Sequence, residues 1–209
     1  SFPGVNIADG VPTLVDAALL PLGDSDGDGR DNDVEGTGDM DADGDLDIGV
    51  AVNSGPSLAT LANDGSGTFT GPSLVTSYGT PVNLVAGDFN GDGDMDLAMA
   101  LHTGHQLGVH LNNGFGAFSS ILYQPSGASS NPFGIDAGDF DNDGDLDLVS
   151  ANYGDSVVKI YRKSNSSMSY TTTTRATDAQ PRWVVLKDLN GDGYLDIITV
   201  NGQGNTVTI

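Results

Sequence analysis

GDFNGDGDMDLAMAL, residues 87–101, is one of four copies of a pattern that organises this chain. The other copies are GDMDADGDLDIGVAV from Gly38, GDFDNDGDLDLVSAN from Gly138 and KDLNGDGYLDIITVN from Lys187. Their first aspartates, Asp39, Asp88, Asp139 and Asp188, are 49, 51 and 49 residues apart. Self-similarity at such a period indicates a repeat architecture in which each repeat is one supersecondary unit.

Within each repeat, short apolar runs alternate with turns. The Asp-rich segment is followed by an apolar run, a polar turn, a second run such as Gln106–Leu111, and a Gly-rich turn that ends in an aromatic. A further stretch leads to Pro81, Pro132 or Pro181, each seven residues before the next first aspartate. Four strands in about fifty residues make one β-propeller blade. We therefore predict an all-β fold of four-stranded antiparallel blades, as a single propeller domain or propeller fragment over residues 1–209.

The two ends of the sequence predict one more strand. The last repeat stops at Ile209 without its Gly-rich turn and fourth strand, and Ser1–Ala8 has the features of that strand. We expect this segment to complete the last blade, because pairing there removes an exposed sheet edge. The same strand could instead complete a blade in a neighbouring molecule and so cause self-association.

Each repeat begins with a loop of alternating oxygen-bearing side chains. Counted from the first aspartate, positions 1, 3, 5 and 9 carry Asp or Asn in every copy, and position 6 is glycine. Together with position 7, the predicted metal ligands are Asp39, Asp41, Asp43, Asp45 and Asp47; Asp88, Asn90, Asp92, Asp94 and Asp96; Asp139, Asp141, Asp143, Asp145 and Asp147; and Asp188, Asn190, Asp192, Tyr194 and Asp196.

This set of donors indicates a hard cation. Several carboxylates in a flexible loop suit Ca²⁺, because Mg²⁺ requires a stricter octahedron and oxygen-only ligation disfavours softer metals. Glycine at position 6 allows the tight turn that wraps a loop around an ion. Since a tyrosine side chain does not bind Ca²⁺, Tyr194 implies that position 7 contributes its backbone carbonyl. Solvated Asp-Gly turns are the alternative, and four copies with one spacing disfavour it.

A fifth acidic segment, DSDGDGRDNDVE, occupies residues 24–35 as an insertion before the first repeat loop. It matches the EF-hand loop string, in which a final glutamate binds Ca²⁺ through both oxygens. Its predicted ligands are Asp24, Asp26, Asp28, Arg30 through its carbonyl at position 7, and Glu35. A mobile acidic insertion without metal is the alternative.

The composition limits the partners of the chain. It carries 29 acidic and 7 basic residues, for a formal net charge of −22, and Glu35 is its one glutamate. Aspartate favours turns, whereas glutamate favours helices, so these carboxylates are expected in loops. Few cations are available to oppose phosphates, which excludes nucleic acid. Without cysteine or a long apolar run, neither thiolate sites nor membrane insertion is expected.

The loops, together with LNNGFGAF at residues 111–118, resemble FG-GAP repeats, also called VCBS repeats, as in integrin α-chain propellers and bacterial surface proteins. The resemblance implies one Ca²⁺ per blade in the turn between the first two strands, hence about four ions, or five with the acidic insertion. It also implies a secreted, extracellular or cell-surface protein that serves adhesion or structural assembly, with surface or matrix proteins as partners.

Other functions remain open from the sequence. Family propellers include lectins, and Tyr153, Trp183 and Tyr194 could stack on sugars, although packing between blades is the commoner role of such aromatics. A filament subunit built by strand exchange is a further alternative. No serine lies in a nucleophile-elbow motif, so an enzyme is not expected. The histidines His102, His105 and His110 lack the spacing of zinc motifs.

Overall fold

The computed structural model describes residues 38–52, 58–164 and 167–209, and its regular structure is almost entirely strand. The exception is a 3₁₀ turn at His102–Gly104. The predicted N-terminal strand and the acidic insertion 24–35 lie outside the described residues. The strands are β1 (Ile48–Ala51), β2 (Leu58–Asn63), β3 (Phe69–Val75), β4 (Pro81–Gly87), β5 (Asp96–Leu101), β6 (Gln106–Leu111), β7 (Ser120–Pro125), β8 (Pro132–Gly138), β9 (Asp147–Asn152), β10 (Val157–Ser164), β11 (Ser167–Ala176), β12 (Pro181–Lys187), β13 (Asp196–Asn201) and β14 (Thr206–Thr208).

These strands form four antiparallel sheets, which confirms the all-β prediction. In chain order the sheets are β1-β2-β3, β4-β5-β6-β7, β8-β9-β10-β11 and β12-β13-β14. We call them sheets 1 to 4. Sheets 2 and 3 have the four strands predicted for a repeat, and sheets 1 and 4 have three strands each among the described residues. Every strand pairs with its neighbour in sequence, so each sheet is a simple meander.

A proline opens the first strand of sheets 2, 3 and 4. Pro81, Pro132 and Pro181 begin β4, β8 and β12. Proline has no N–H to give to the ladder, and the first residue of a strand tolerates that loss. In each case the pairing skips the next residue, which is Val82, Phe133 or Arg182. The bulge is therefore a repeated feature of the fold.

The sheets pack face to face in chain order, and most buried apolar side chains lie in the layers between them. Strand β5 is buried along its whole length. Leu97, Met99 and Leu101 pack toward sheet 1 with Met40 and Leu58, whereas Ala98 and Ala100 pack toward sheet 3 with Leu148 and Tyr161. A third layer joins sheets 3 and 4 through Val149, Ala151, Val184 and Leu186. Each inner sheet therefore contributes to two cores.

The first strands of successive sheets lie side by side. Ile135 N donates to Asn83 Oδ1 at 3.3 Å between β8 and β4, and Leu186 N donates to Asp136 Oδ2 at 2.7 Å between β12 and β8. At Gly134 the backbones are so close that a Cβ would lie 2.9 Å from Arg182 O. This stacking of meanders around adjacent first strands is propeller-like. No helix in the described part of the chain has the length and apolar character needed to span a membrane.

Candidate metal sites

The four Asp-rich loops occupy equivalent places in the fold. We call residues 39–47, 88–96, 139–147 and 188–196 the first to fourth loops. The second, third and fourth loops join the first and second strands of sheets 2, 3 and 4, and the first loop leads into β1. Each loop thus lies at the end of its sheet where the second strand of the repeat begins.

In each loop, the carboxylate of the first aspartate accepts backbone N–H bonds from later residues of the same loop, and the loop curls around it. In the first loop, Asp39 accepts backbone N–H bonds from Asp43 at 3.1 Å and Gly44 at 2.8 Å. The other loops repeat these bonds. Glycine at position 6 is in the left-handed region in every loop, with φ between +85° at Gly193 and +95° at Gly44. That geometry is the reason for glycine at this position.

Position 4 of each loop also has a positive φ, which the sequence did not reveal. Its residues are Ala42 at +62°, Gly91 at +82°, Asn142 at +60° and Gly191 at +77°. Glycine and asparagine reach this region readily, but alanine does so at an energetic cost. The variety of residue types hid the shared geometry.

Carboxylates converge in two of the loops. One oxygen from each of Asp39, Asp41 and Asp43 lies within 4.8 Å of the others in the first loop, and Asp139, Asp141 and Asp147 form the same kind of group in the third. In the second and fourth loops position 3 is an asparagine. There Asn90 Oδ1 accepts the N–H of Asp92 at 2.8 Å, while its Nδ2 donates to Asp92 Oδ2.

The aspartate at position 9 joins its loop to the rest of the sheet. Its Oδ2 accepts the N–H of loop position 2 in all four loops, as in Phe89 N to Asp96 at 3.0 Å. In the first three loops its Oδ1 accepts, at 2.8 Å, the backbone N–H of a residue sixteen positions later. That residue lies at or beside the C-terminal end of β2, β6 or β10. These donors are Asn63, Asn112 and Lys163. Sequence reasoning did not identify them, although their constant spacing was a usable signal.

In the first three loops, burial makes ionisation of the position-9 carboxyl less favourable. Desolvation raises the pKa of Asp96 to about 7 and the pKa of Asp147 to about 6, against backbone hydrogen bonds that lower them. The pKa of Asp47 is raised for the same reason. In the fourth loop, backbone N–H groups of Gly193 and Gly191 lower the pKa of Asp188. By burial, each loop combines an exposed carboxylate at position 5 with a more buried one at position 9.

The side chains at position 7 belong to neither of the two converging groups of three carboxylates. Cβ atoms added at Gly65 and Gly114, in the hairpin turns of sheets 1 and 2, would collide with the carboxylates of Asp45 and Asp94. Asp145 Oδ1 accepts a hydrogen bond from Lys163 Nζ at 2.7 Å. Tyr194 is 59% exposed. This arrangement leaves the backbone carbonyl as the predicted contribution of position 7.

The first loop also contains an oxygen that lacks a partner. Asp41 Oδ1 is buried and accepts no hydrogen bond from any residue that the structure describes. Desolvation and the nearby carboxylate of Asp43 raise the pKa of Asp41. Buried polar atoms are rarely unpaired in native proteins, and like charges this close repel each other. A divalent cation among the three carboxylates would satisfy the oxygen and remove the repulsion, so the donors present fit Ca²⁺.

The histidines and the aromatic candidates lie elsewhere. Within the described residues, neither group of clustered metal-ligating side chains includes a histidine. His110 is fully buried, and His102 stacks edge-on against Phe133 with ring centroids 5.7 Å apart. Tyr153 packs beside the same rings, with Arg182 over it at 5.3 Å. Trp183 and Tyr194 remain largely exposed.

Stacked antiparallel meanders, each with the same Asp-rich loop before the second strand of its repeat, define a repeat protein with a β-propeller-like fold. The FG-GAP-like repeat model matches residues 39–99, 96–150 and 139–199, and the chain belongs to this family, as the sequence predicted.

Among solved structures, a lectin from Agrocybe aegerita, described as recognising non-reducing terminal N-acetylglucosamine, is similar in fold. It is 22% identical, with a TM-score of 0.51. The alignment covers 77% of this chain and 44% of the lectin chain, so this chain spans less than half of that protein's length. At such an identity the likeness bears on the fold alone. A comparison with curated proteins found no match.

Proposed function

We propose that this chain is a non-catalytic, extracellular Ca²⁺-binding β-propeller protein, or a segment of one, that serves adhesion or structural assembly at the cell surface or matrix. One observation supports the Ca²⁺ assignment above others. A single loop geometry recurs four times, and in two copies three carboxylates lie within 4.8 Å of one another. Such a concentration of like charge is unfavourable without a cation.

The role of the ions in this proposal is structural. The second, third and fourth loops each connect two strands. In the first three loops the position-9 aspartate also binds a backbone N–H at or near the end of the next strand, as Asp96 does with Asn112 N at 2.8 Å. An ion held by the loop would fix the positions of the loop carboxylates, and so the position at which the following strand begins. Because folded loops bind the ion and unfolded ones do not, binding stabilises the fold.

An extracellular location follows from the expected affinity. Oxygen-ligand sites in extracellular modules commonly bind Ca²⁺ at millimolar levels, which are found outside cells. The strongly negative chain would also be neutralised in part by bound Ca²⁺. Surface or matrix proteins are the partners proposed for a rigid, non-catalytic module of this kind.

The test is calorimetric titration of the chelator-stripped chain with Ca²⁺, combined with thermal unfolding. We expect about four ions to bind, or five if the acidic insertion takes part, and Tm to rise strongly. Mg²⁺ at the same concentration is the control and should stabilise much less. A stripped protein that neither binds Ca²⁺ nor changes Tm would refute the metal-binding function. Light scattering of the same samples would detect an assembly formed by strand exchange.

A second candidate function is glycan recognition, and one observation favours it. A pocket of about 190 Å³ beside the first loop is lined by Asp41 and Asp47, by Thr60, Thr70 and Ser73, and by Phe115, which is 79% exposed. Polar groups beside an exposed aromatic ring suit a sugar, whose ring stacks while its hydroxyls hydrogen-bond. The lectin of similar fold recognises N-acetylglucosamine.

Titration with N-acetylglucosamine in saturating Ca²⁺ tests this second function. Binding that is lost in Phe115→Ala and kept in Tyr78→Ala would support the pocket, because Tyr78 is also highly exposed but is no part of it. Equal binding by both variants would place the sugar elsewhere, and no binding would leave adhesion or assembly as the function.

A further inference from the structure

The third loop differs from the others because two basic side chains of its own sheet contact it. Lys163 Nζ donates to Asp145 Oδ1 at 2.7 Å, and Arg162 Nε lies 3.5 Å from Asp141 Oδ2. The Lys163 side chain is 2% exposed, so its charge is directed at the loop and not at solvent. The remaining ion pair of the described residues, Lys159–Asp155, involves no loop carboxylate.

The place of Lys163 in the fold is the same as that of two asparagines. The backbone N–H of Asn63, Asn112 and Lys163 each donates to Oδ1 of the position-9 aspartate at 2.8 Å. In sheet 2 the Asn112 amide then bonds to the carbonyls of Met40 and Met95. The third repeat thus has an ammonium group where the first two have a neutral amide.

We propose that Lys163, assisted by Arg162, is a built-in counter-ion that makes the third loop a weaker Ca²⁺ site than the first loop, which has aspartate at the same five positions. This inference rests on the proposed Ca²⁺ function and adds a ranking of these two sites. A fixed positive charge repels an incoming divalent cation at this range, and the carboxylates it neutralises attract the cation less. Because Lys163 is buried, salt screens this effect less than it screens surface pairs. The same contacts make the third loop less dependent on metal than the first.

Amide NMR of the ¹⁵N-labelled protein during Ca²⁺ titration can test the ranking site by site. The position-6 glycines, Gly44, Gly93, Gly144 and Gly193, report on the four loops separately. We expect Gly144 to reach half-saturation at a higher Ca²⁺ concentration than Gly44. In Lys163→Asn, which installs the residue of the first two repeats, we expect its midpoint to fall by about tenfold, while the Gly93 midpoint stays unchanged.

Two further variants separate the charge from other effects of the substitution. Lys163→Met keeps most of the buried aliphatic length and removes the charge, so it should also lower the Gly144 midpoint. Arg175→Asn is the matched control, because it removes one positive charge from the same sheet. Arg175 is exposed on β11 and pairs with Val158, toward the end of β10 away from Lys163. It should leave all four midpoints in place.

The outcomes distinguish this inference from the function on which it rests. If wild-type Gly144 reached half-saturation at the same Ca²⁺ concentration as Gly44, or if the midpoints were unchanged in both Lys163 variants, the ranking would be overturned while Ca²⁺ binding stood. If none of the four glycines responded to Ca²⁺, the proposed function itself would fail, and the inference with it.

Discussion

At the scale of single residues, the loops depend on backbone angles that only some side chains tolerate. Position 4 has a φ of +62° at Ala42, where the second and fourth loops have Gly91 and Gly191. In this region the Cβ of alanine approaches the neighbouring carbonyl, at a cost of about 1 kcal/mol. The first loop therefore carries strain that the glycine-containing loops do not.

Replacing that alanine should stabilise the protein. We expect Ala42→Gly to raise the free energy of unfolding by about 1 kcal/mol, because glycine adopts φ of +62° without strain. Urea unfolding of the Ca²⁺-saturated protein measures the change. The reciprocal variant Gly91→Ala is the control and should lower the stability by a similar amount. Equal stability of all three proteins would show that position 4 is not strained.

His110 is a second residue whose environment has a measurable consequence. It is fully buried on β6, and neither ring nitrogen has a hydrogen-bond partner among the described residues. Burial lowers its pKa from 6.5 to about 4. The unfolded chain therefore takes up a proton below about pH 6.5, whereas the folded chain does not until about pH 4. Stability from this residue is complete above that window and decreases as the pH falls through it.

Between about pH 7.5 and pH 5, we expect His110 to contribute a loss of about 2 kcal/mol in unfolding free energy. His110→Leu, which cannot titrate, should lose correspondingly less over the same range. The comparison removes the effect of the loop carboxylates, since both proteins contain them. Parallel pH profiles for the two proteins would mean that His110 is protonated equally in the folded and unfolded states.

At the scale of strands and loops, contacts between repeats matter as much as contacts within them. Asn112, 6% exposed, donates its side-chain amide to Met40 O at 2.7 Å and so joins sheet 2 to the first loop. The side-chain oxygen of its neighbour Asn113 accepts N–H bonds from Phe115 and Ala117 within the same turn. These adjacent asparagines form a natural pair for a mutational comparison.

Asn112→Ala should lower the unfolding free energy by about 2 kcal/mol, because it removes the side-chain hydrogen bonds to Met40 O and Met95 O. It should also shift the amide resonances of the first loop, since Met40, which lies 72 residues away in sequence, belongs to that loop. Asn113→Ala should cost less and leave the first loop unchanged. If the two variants lowered the unfolding free energy equally, the bond from Asn112 to the first loop would make no measurable contribution to stability.

Gly134 tests the close approach of neighbouring first strands. A Cβ there would lie 2.9 Å from Arg182 O and 2.9 Å from the Trp183 Cα, both of which are backbone atoms that cannot rotate away. We expect Gly134→Ala to lower the unfolding free energy by about 2 kcal/mol. In Gly108→Ala, the nearest atom is instead a side-chain methyl of Leu101 at 3.0 Å, so that control should cost less. Equal losses would indicate that β8 and β12 can separate freely.

Features fixed within one repeat could be predicted from the sequence. The run Gln106–Leu111 is strand β6, and the equivalent run of the third repeat is β10, Val157–Ser164. That a proline begins the first strand of sheets 2, 3 and 4 is a finding of the structure. Features that depend on a second repeat could not be predicted, such as the Asn112–Met40 bond or the two cations at the third loop. Local patterns report turns and strands, whereas these contacts arise only when sheets pack.

At the scale of the whole molecule, negative charge far exceeds positive charge. The formal net charge is −22, and the described residues contain three ion pairs. Most carboxylates therefore repel one another in the metal-free protein, and salt should reduce that repulsion. Bound Ca²⁺ would reduce it in a more local way, at the loops themselves.

We accordingly expect NaCl to stabilise the chelated protein and to have little effect on the Ca²⁺-saturated one. Between about 0.05 and 0.5 M NaCl, Tm of the chelated form should rise by about 3 °C, the shift that about 1 kcal/mol produces in a domain of this size. Differential scanning calorimetry of both forms measures this. Identical salt responses would indicate that the ions do not relieve the repulsion.

The sharing of each core layer between two sheets also bears on how such a chain can change in length. Leu97, Met99 and Leu101 meet the preceding sheet, and Ala98 and Ala100 meet the following one. If a complete repeat were lost, the sheets on either side of it would meet. Their contact would involve the same two kinds of sheet face that already pack together elsewhere in the stack. Loss of half a repeat would leave an apolar face uncovered. In a lineage of such proteins, insertions and deletions should therefore be inherited as whole repeats and not as fractions of one.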